Sequence, residues 1–163
     1  MADICSNEKT LMQDVRFRQG KKSPPGTKKR VYLADMRDIL TFPTKPDRSA
    51  AGFSLEKVPV LTGAFTMAEG KFFAQVDIIN NNGKINVEGQ GTFGSKTFKC
   101  TYTGNAPGTE EELSGLIAEL LNAEIIAVVP TRTGKFRVIG SEEFPAEINP
   151  SQDTGQTATD TNQ

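Results

Sequence analysis

Residues 108 to 141, GTEEELSGLIAELLNAEIIAVVPTRTGKFRVIGS, place the tightest limits on what this chain can fold into. Thr109 followed by Glu112 is a capping box, in which the hydroxyl accepts from the third helical amide and the Glu reaches back to the cap. Glu110, Glu111 and Glu112 also fall where the helix dipole favours negative charge. Leu113, Leu116, Ile117, Leu120 and Leu121 recur at helical spacing, which predicts a helix over 109–122 with one apolar stripe. Burying each such side chain is worth roughly 1.5 to 3 kcal/mol before entropy, so the stripe is expected to dock on a sheet. EIIAVVP and KFRVIG then flank TRTG, the pattern of a β-hairpin. Ile125, Ile126, Val128 and Val129 are apolar on both faces, as in a central strand covered by the helix on one side and a second sheet on the other.

The rest of the chain reads mainly as strand. RVYLAD, residues 30–35, alternates Val31 and Leu33 with Tyr32. Pro43, Pro46 and Gly52 mark a loop over 43–52, long enough to be a candidate for function. KVPVLTGAFTM and KFFAQVDII are expected as two strands joined by AEG, with Phe72, Ala74, Val76 and Ile78 on one face of the second. NNNG at 80–83 is a turn, since Asn and Gly tolerate positive φ. KINVEG and KTFKCTYTG supply two further strands, and Gly89, Gly91 and Gly94 between them mark a bulge or bend.

At 163 residues the chain suits one domain plus tails. Residues 1–27 read as a flexible basic N-terminal arm, 28–148 as the β domain, and 149–163 as a polar C-terminal tail without large apolar side chains. The formal charge of −1 conceals an uneven distribution. Residues 1–37 hold nine Lys or Arg against four acids, and residues 137–163 hold one Arg against five acids. No apolar run approaches the roughly 20 residues that cross a bilayer, and no signal-peptide core opens the chain, so no membrane role is expected.

Catalytic chemistry is poorly provided for. The chain has no histidine, which removes the commonest general base and the commonest metal ligand. GKKSPPG has the Gly-Lys of a phosphate loop without the upstream glycine or a preceding strand, and reads as a basic linker. Asp35 and Asp38, with Glu56 or Asp77, invite a carboxylate-pair reading, but Arg37 between the first two points to surface ion pairing. Helix capping explains the acids of TEEE without a cation. Cys5 and Cys100 form neither a disulfide framework nor a zinc spacing, and Cys100 reads as a structural thiol. No catalytic, metal-binding or cofactor-binding residue is expected, and no enzymatic activity.

One element has an arguable ligand. Arg16, Arg18, Lys21, Lys22, Lys28, Lys29 and Arg30 could neutralise several phosphates with salt-dependent affinity, the basis of an alternative reading as a nucleic-acid-binding accessory protein. Phe17 is the one aromatic interleaved for stacking. An acidic protein surface is the better-matched partner for this arm, and the chain's own acidic end supplies one.

KKRVYLADMRDILTFP, then ELLNAEIIAVVPTRTGKFRVIGSEEFPAEI, then DTGQTATDTNQ resemble tail-tube-like and tail ring structural proteins of tailed bacteriophages and prophages of Bacteroidetes, including the crAss-like phages. The resemblance spans residues 28–163 loosely and is most specific in the helix, the following hairpin and Asp160-Thr161-Asn162. It implies a small antiparallel β-sandwich or barrel with one flanking amphipathic helix. It implies a virion location in the tail after synthesis in the host cytoplasm. Its partners would be further copies in a hexameric or dodecameric ring, adjacent tail or portal-proximal rings, and DNA in transit through the channel. The arm at 1–27 and the loop at 43–52, with Phe42, Lys45, Asp47 and Arg48 as its interface residues, would reach neighbouring subunits or the next ring. Relatives continue past the Asp-x-Asn segment into a last apolar strand where this sequence stops at Gln163. Either a neighbour supplies that strand, or the chain is a shorter ring protein rather than the repeating tube subunit.

Overall fold

The double-sided apolar run at 125–130 becomes the strand around which everything else packs. A computed structural model of the chain describes Gly20, residues 24–108 and residues 111–151. Strands β1 (Arg30–Asp35), β4 (Ala74–Asp77), β7 (Ile125–Pro130) and β8 (Phe136–Ile139) form one antiparallel sheet in the order β4-β1-β7-β8. Leu33 lies opposite both Ala74 and Ala127, and Ala127 opposite Ile139, so one row of apolar side chains crosses all four strands. Ile126 and Val129, on opposite faces of β7, are both 0% exposed.

On the first face, Val31, Leu33, Ile125, Ala127, Val129 and Ile139 form the larger core. It is covered by the helix α1 (Glu111–Leu120) through Leu120 and Leu116. The ribbon of β5 (Lys84–Gln90) and β6 (Thr97–Thr103) covers the remainder through Ile85, Cys100 and Tyr102. On the second face, Ala34 and Ile126 meet Ile39, Phe42, Phe65, Met67 and Phe73 around the short ribbon of β2 (Ile39–Thr41) and β3 (Thr66–Met67). The chain is therefore mainly β, built of antiparallel sheets with one α-helix among the described residues. The four-stranded sheet is open at β4 and β8, so the closed barrel expected as one alternative does not form among these residues.

Several expectations are corrected. KVPVLTGAFTM yields strand only at Thr66–Met67. A 3₁₀ turn at Leu55–Lys57 leads into it and Thr62 makes only an isolated bridge to Thr44, because Pro59 lacks an amide for a ladder and Gly63 adopts φ 101°. In the next segment the side chain that packs inward is Phe73, while Phe72 is 79% exposed, since the ladder with β1 begins only at Ala74. NNNG does turn, with Asn81 at φ 72°, but it joins strands of two different sheets instead of closing a hairpin. Gly89 sits in an unbroken ladder opposite Phe98, so no bulge occurs there; Gly91 and Gly94 supply the reversal instead.

The helix stripe is only partly covered. Leu120 is buried, Leu113, Leu116 and Ile117 are half-buried, and Leu121 lies beyond the helix end and is exposed. The capping residue expected at Thr109 lies outside the described residues.

Gly140, at φ 93°, turns the chain after β8 so that Ala146 and Ile125 exchange backbone hydrogen bonds of 3.0 and 2.9 Å. A Cβ at Gly140 would sit 3.0 Å from both Ala146 N and Ile125 O.

Candidate functional site

Of the basic residues singled out, Arg16, Arg18, Lys21 and Lys22 lie outside the described residues. Lys28, Lys29 and Arg30 mark the chain's entry into the sheet. Thr27 before them is already buried and bridges Thr131. The Lys28 amide donates to Pro130 O at 2.8 Å, and Lys29 O accepts from the Ile78 amide at 2.6 Å. Arg30 pairs with Asp77 at 3.1 Å, whereas the exposed Lys28 and Lys29 have no ion-pair partner among the described residues. Beside them Arg132 donates to Thr27 O and to the side-chain oxygens of Asn80 and Asn81. These groups rim an open cleft of about 680 Å³ that also holds Tyr32, Pro130 and Phe136.

The loop at 43–52 has a half-buried root and an exposed rim. Phe42 meets Phe65 edge to face at 5.9 Å, and Phe65 meets Phe73 likewise at 5.5 Å, so Phe42 faces the second core. Lys45, Asp47 and Arg48 are exposed. Asp47 accepts from the Ser49 hydroxyl at 2.6 Å and the Ser49 amide at 2.8 Å, which hold its carboxyl below the usual range and shape the bend.

Asp35 and Asp38 come to one cleft, each with its own cation. Asp35 caps the 3₁₀ turn Met36–Asp38 through the Arg37 amide, and the Arg37 guanidinium reaches its other oxygen at 2.7 Å. That side-chain hydrogen bond holds the Asp35 carboxyl below its ordinary value. Asp38 pairs with Lys71 at 3.2 Å. The cleft is open, about 540 Å³, with Leu33, Ala74 and Leu120 at its floor, Phe72 as a wall and Glu119 on its rim. Glu56 is exposed, and Asp77 is engaged by Arg30. No group of three or more metal-ligating side chains occurs among the described residues. Burial pushes the half-buried Cys100 thiol up, against a smaller opposing pull from Arg137, so it rests in the protonated form.

What the sequence reading missed is apolar surface. Val87, Phe93 and Phe98 on the β5–β6 ribbon, Phe72 before β4, Phe136 on β8 and Phe144 after it are all exposed. The legible signal was Phe93 standing between glycines in a polar turn, GQGTFGSK, where nothing nearby could bury it. The edge strands β4 and β8 add two rows of backbone groups that pair with no further strand among the described residues. No described helix is long and apolar enough to cross a membrane. No protein-family model, curated protein or solved structure matches the chain.

Proposed function

We propose that this chain is a bacteriophage virion structural protein, a tail tube or tail ring subunit that assembles into a ring around a DNA-passage channel. The observation that carries the reading is a small antiparallel sheet whose two edges have no strand partner among the described residues, set in a surface where large apolar side chains stand exposed in several places. Such features are liabilities for a lone molecule and ordinary interface in an assembly. In this reading the four-stranded sheet and its flanking ribbons are the subunit's sandwich. The arm at 1–27 and the loop rim of Lys45, Asp47 and Arg48 reach neighbouring subunits. The carboxylates then serve structure, Asp35 by capping the turn at Met36–Asp38 and Asp38 by its ion pair with Lys71, and function lies in surfaces repeated by symmetry. Negative-stain microscopy of concentrated full-length protein is expected to show closed rings with a central channel; solitary particles at every concentration would overturn the reading.

Lys28 and Lys29, exposed and without ion pairs among the described residues, favour a second reading as a nucleic-acid-binding accessory protein. It predicts DNA retention at low salt that falls steeply as salt rises and is lost with residues 1–30. Absence of retention at low salt removes it.

A further inference from the structure

The register of β5 and β6 puts Ile85 opposite Tyr102, Val87 opposite Cys100 and Gly89 opposite Phe98, so these six positions share one face. The inner part of that face, Ile85, Cys100 and Tyr102, packs on the larger core. The outer part does not: Val87 is 57% exposed and Phe98 82%. The other face is polar along its whole length, with Lys84, Asn86 and Glu88 across from Thr103, Thr101 and Lys99. The ribbon therefore has the alternation of a half-buried element while only half of it lies over its own domain. At its tip, Gly91 and Gly94 take φ 99° and 94°, and the Ser95 amide donates to Thr92 O at 3.0 Å. This ordered turn presents Phe93 at 98% exposure.

We propose that the β5–β6 ribbon docks on a second copy of this chain, with Phe93 entering the cleft between β1, β4 and the C-terminal end of α1. The inference rests on the self-assembly read above and names one of its contacts. The cleft has an apolar floor of Leu33, Ala74 and Leu120 and an exposed aromatic wall, Phe72. Phe93 of the same copy does not fill it, being almost wholly exposed. On the rim, Asp35 and Asp38 are matched by Arg37 and Lys71, which leaves Glu119 without an ion pair among the described residues. Lys96, beside the ribbon tip, likewise has none, so a cationic tip meets a rim with one unmatched acid.

The size of the contact fits repetition better than an isolated pair. Two phenylalanines bury about 150–250 Å² each. With Val87 this stays below the roughly 800 Å² per partner of a standard stable interface. Ribbon and cleft are different surfaces, so every copy both gives and receives, and contacts accumulate around a ring.

The test uses the full-length chain, with sedimentation velocity across a concentration series and microscopy of the most concentrated sample. Phe93→Ala, at a site that supports no core, is expected to weaken association by about tenfold or more. Lys96→Glu and Glu119→Lys are each expected to weaken it, and together to restore it. Wild-type association that Phe93→Ala leaves unchanged would overturn the ribbon contact while the ring reading stands. Weakening by Phe93→Ala without restoration in the charge-reversed pair would overturn the cleft as its acceptor. A wild type that stays monomeric throughout would overturn both the contact and the ring reading.

Discussion

The strand β7 and the ribbon β5–β6 both set large apolar side chains along extended backbone, on both faces of β7 and on one face of the ribbon, and they meet opposite fates. In β7, neighbours on both sides supply partners for the backbone and two layers cover both faces, so Ile126 and Val129 lose all contact with solvent. In the ribbon, each strand has one partner and the apolar face is covered only as far as Val87 and Phe98. A two-stranded ribbon is marginal by itself in water, and this one is held by its root, Ile85, Cys100 and Tyr102. Alternation specifies which residues could be buried. Only the neighbouring layers decide which residues are.

That contrast can be broken most directly at β7. Ile126→Ala is expected to cost about 2–5 kcal/mol in urea unfolding, because the site is packed on all sides and cannot collapse. A loss under about 1 kcal/mol would mean that the second face is not a core. Next in size is Gly140→Ala, expected to cost about 1–2 kcal/mol, since a left-handed backbone there also brings the new Cβ against Ala146 N and Ile125 O. Unchanged stability would show that the return of the chain onto Ile125 is loose.

A smaller effect is expected at the ribbon's root. The Tyr102 hydroxyl is buried beside Thr27 Oγ1 and faces Gly83, with neither oxygen in a hydrogen bond of normal geometry. Tyr102→Phe should therefore change stability by less than about 1 kcal/mol at neutral pH. Burial raises the Tyr102 phenol above its ordinary value, opposed by the Thr27 hydroxyl. Stability linked to the neutral phenol is fully present below about pH 10 and is lost as pH rises through the raised value. Urea midpoints should accordingly fall less for the Phe variant than for the native chain in that alkaline range; parallel curves would mean that the phenol is not desolvated. The smallest effect is expected at Phe98→Ser, within about 0.5 kcal/mol for the dilute protein, as the side chain is exposed. A core-sized loss would place Phe98 against something in its own domain and erase the contrast.

Local features were legible where local physics dominates. The alternation of RVYLAD, the turn residues of TRTG and the apolar run after the helix correspond to β1, β7 and β8 with little change. Legibility failed where non-local partners intervene. Phe72 and Phe73 are adjacent and chemically identical, and the register of β4 against β1, together with Phe65, decides that Phe73 turns inward. Val58, Val60 and Leu61 look like strand, yet among the described residues the nearest pairing is the bridge at Thr62, and Val60 and Leu61 remain exposed. At the candidate site, the pairing of Asp35 with Arg37 was readable from two residues' separation. The meeting of Lys71 with Asp38, and of Leu120 with Leu33 and Ala74 around one cleft, was not.

By itself the sequence determined the class of element at most positions, the lack of histidine chemistry and the uneven charge, because these depend on residue type and short spacing. The tertiary structure alone decided the order β4-β1-β7-β8, the separation of β5–β6 into its own sheet, and which apolar side chains were left facing water. The reason is physical: period-two alternation assigns a residue to a face, but burial requires a second surface within van der Waals reach, and that surface comes from residues tens of positions away.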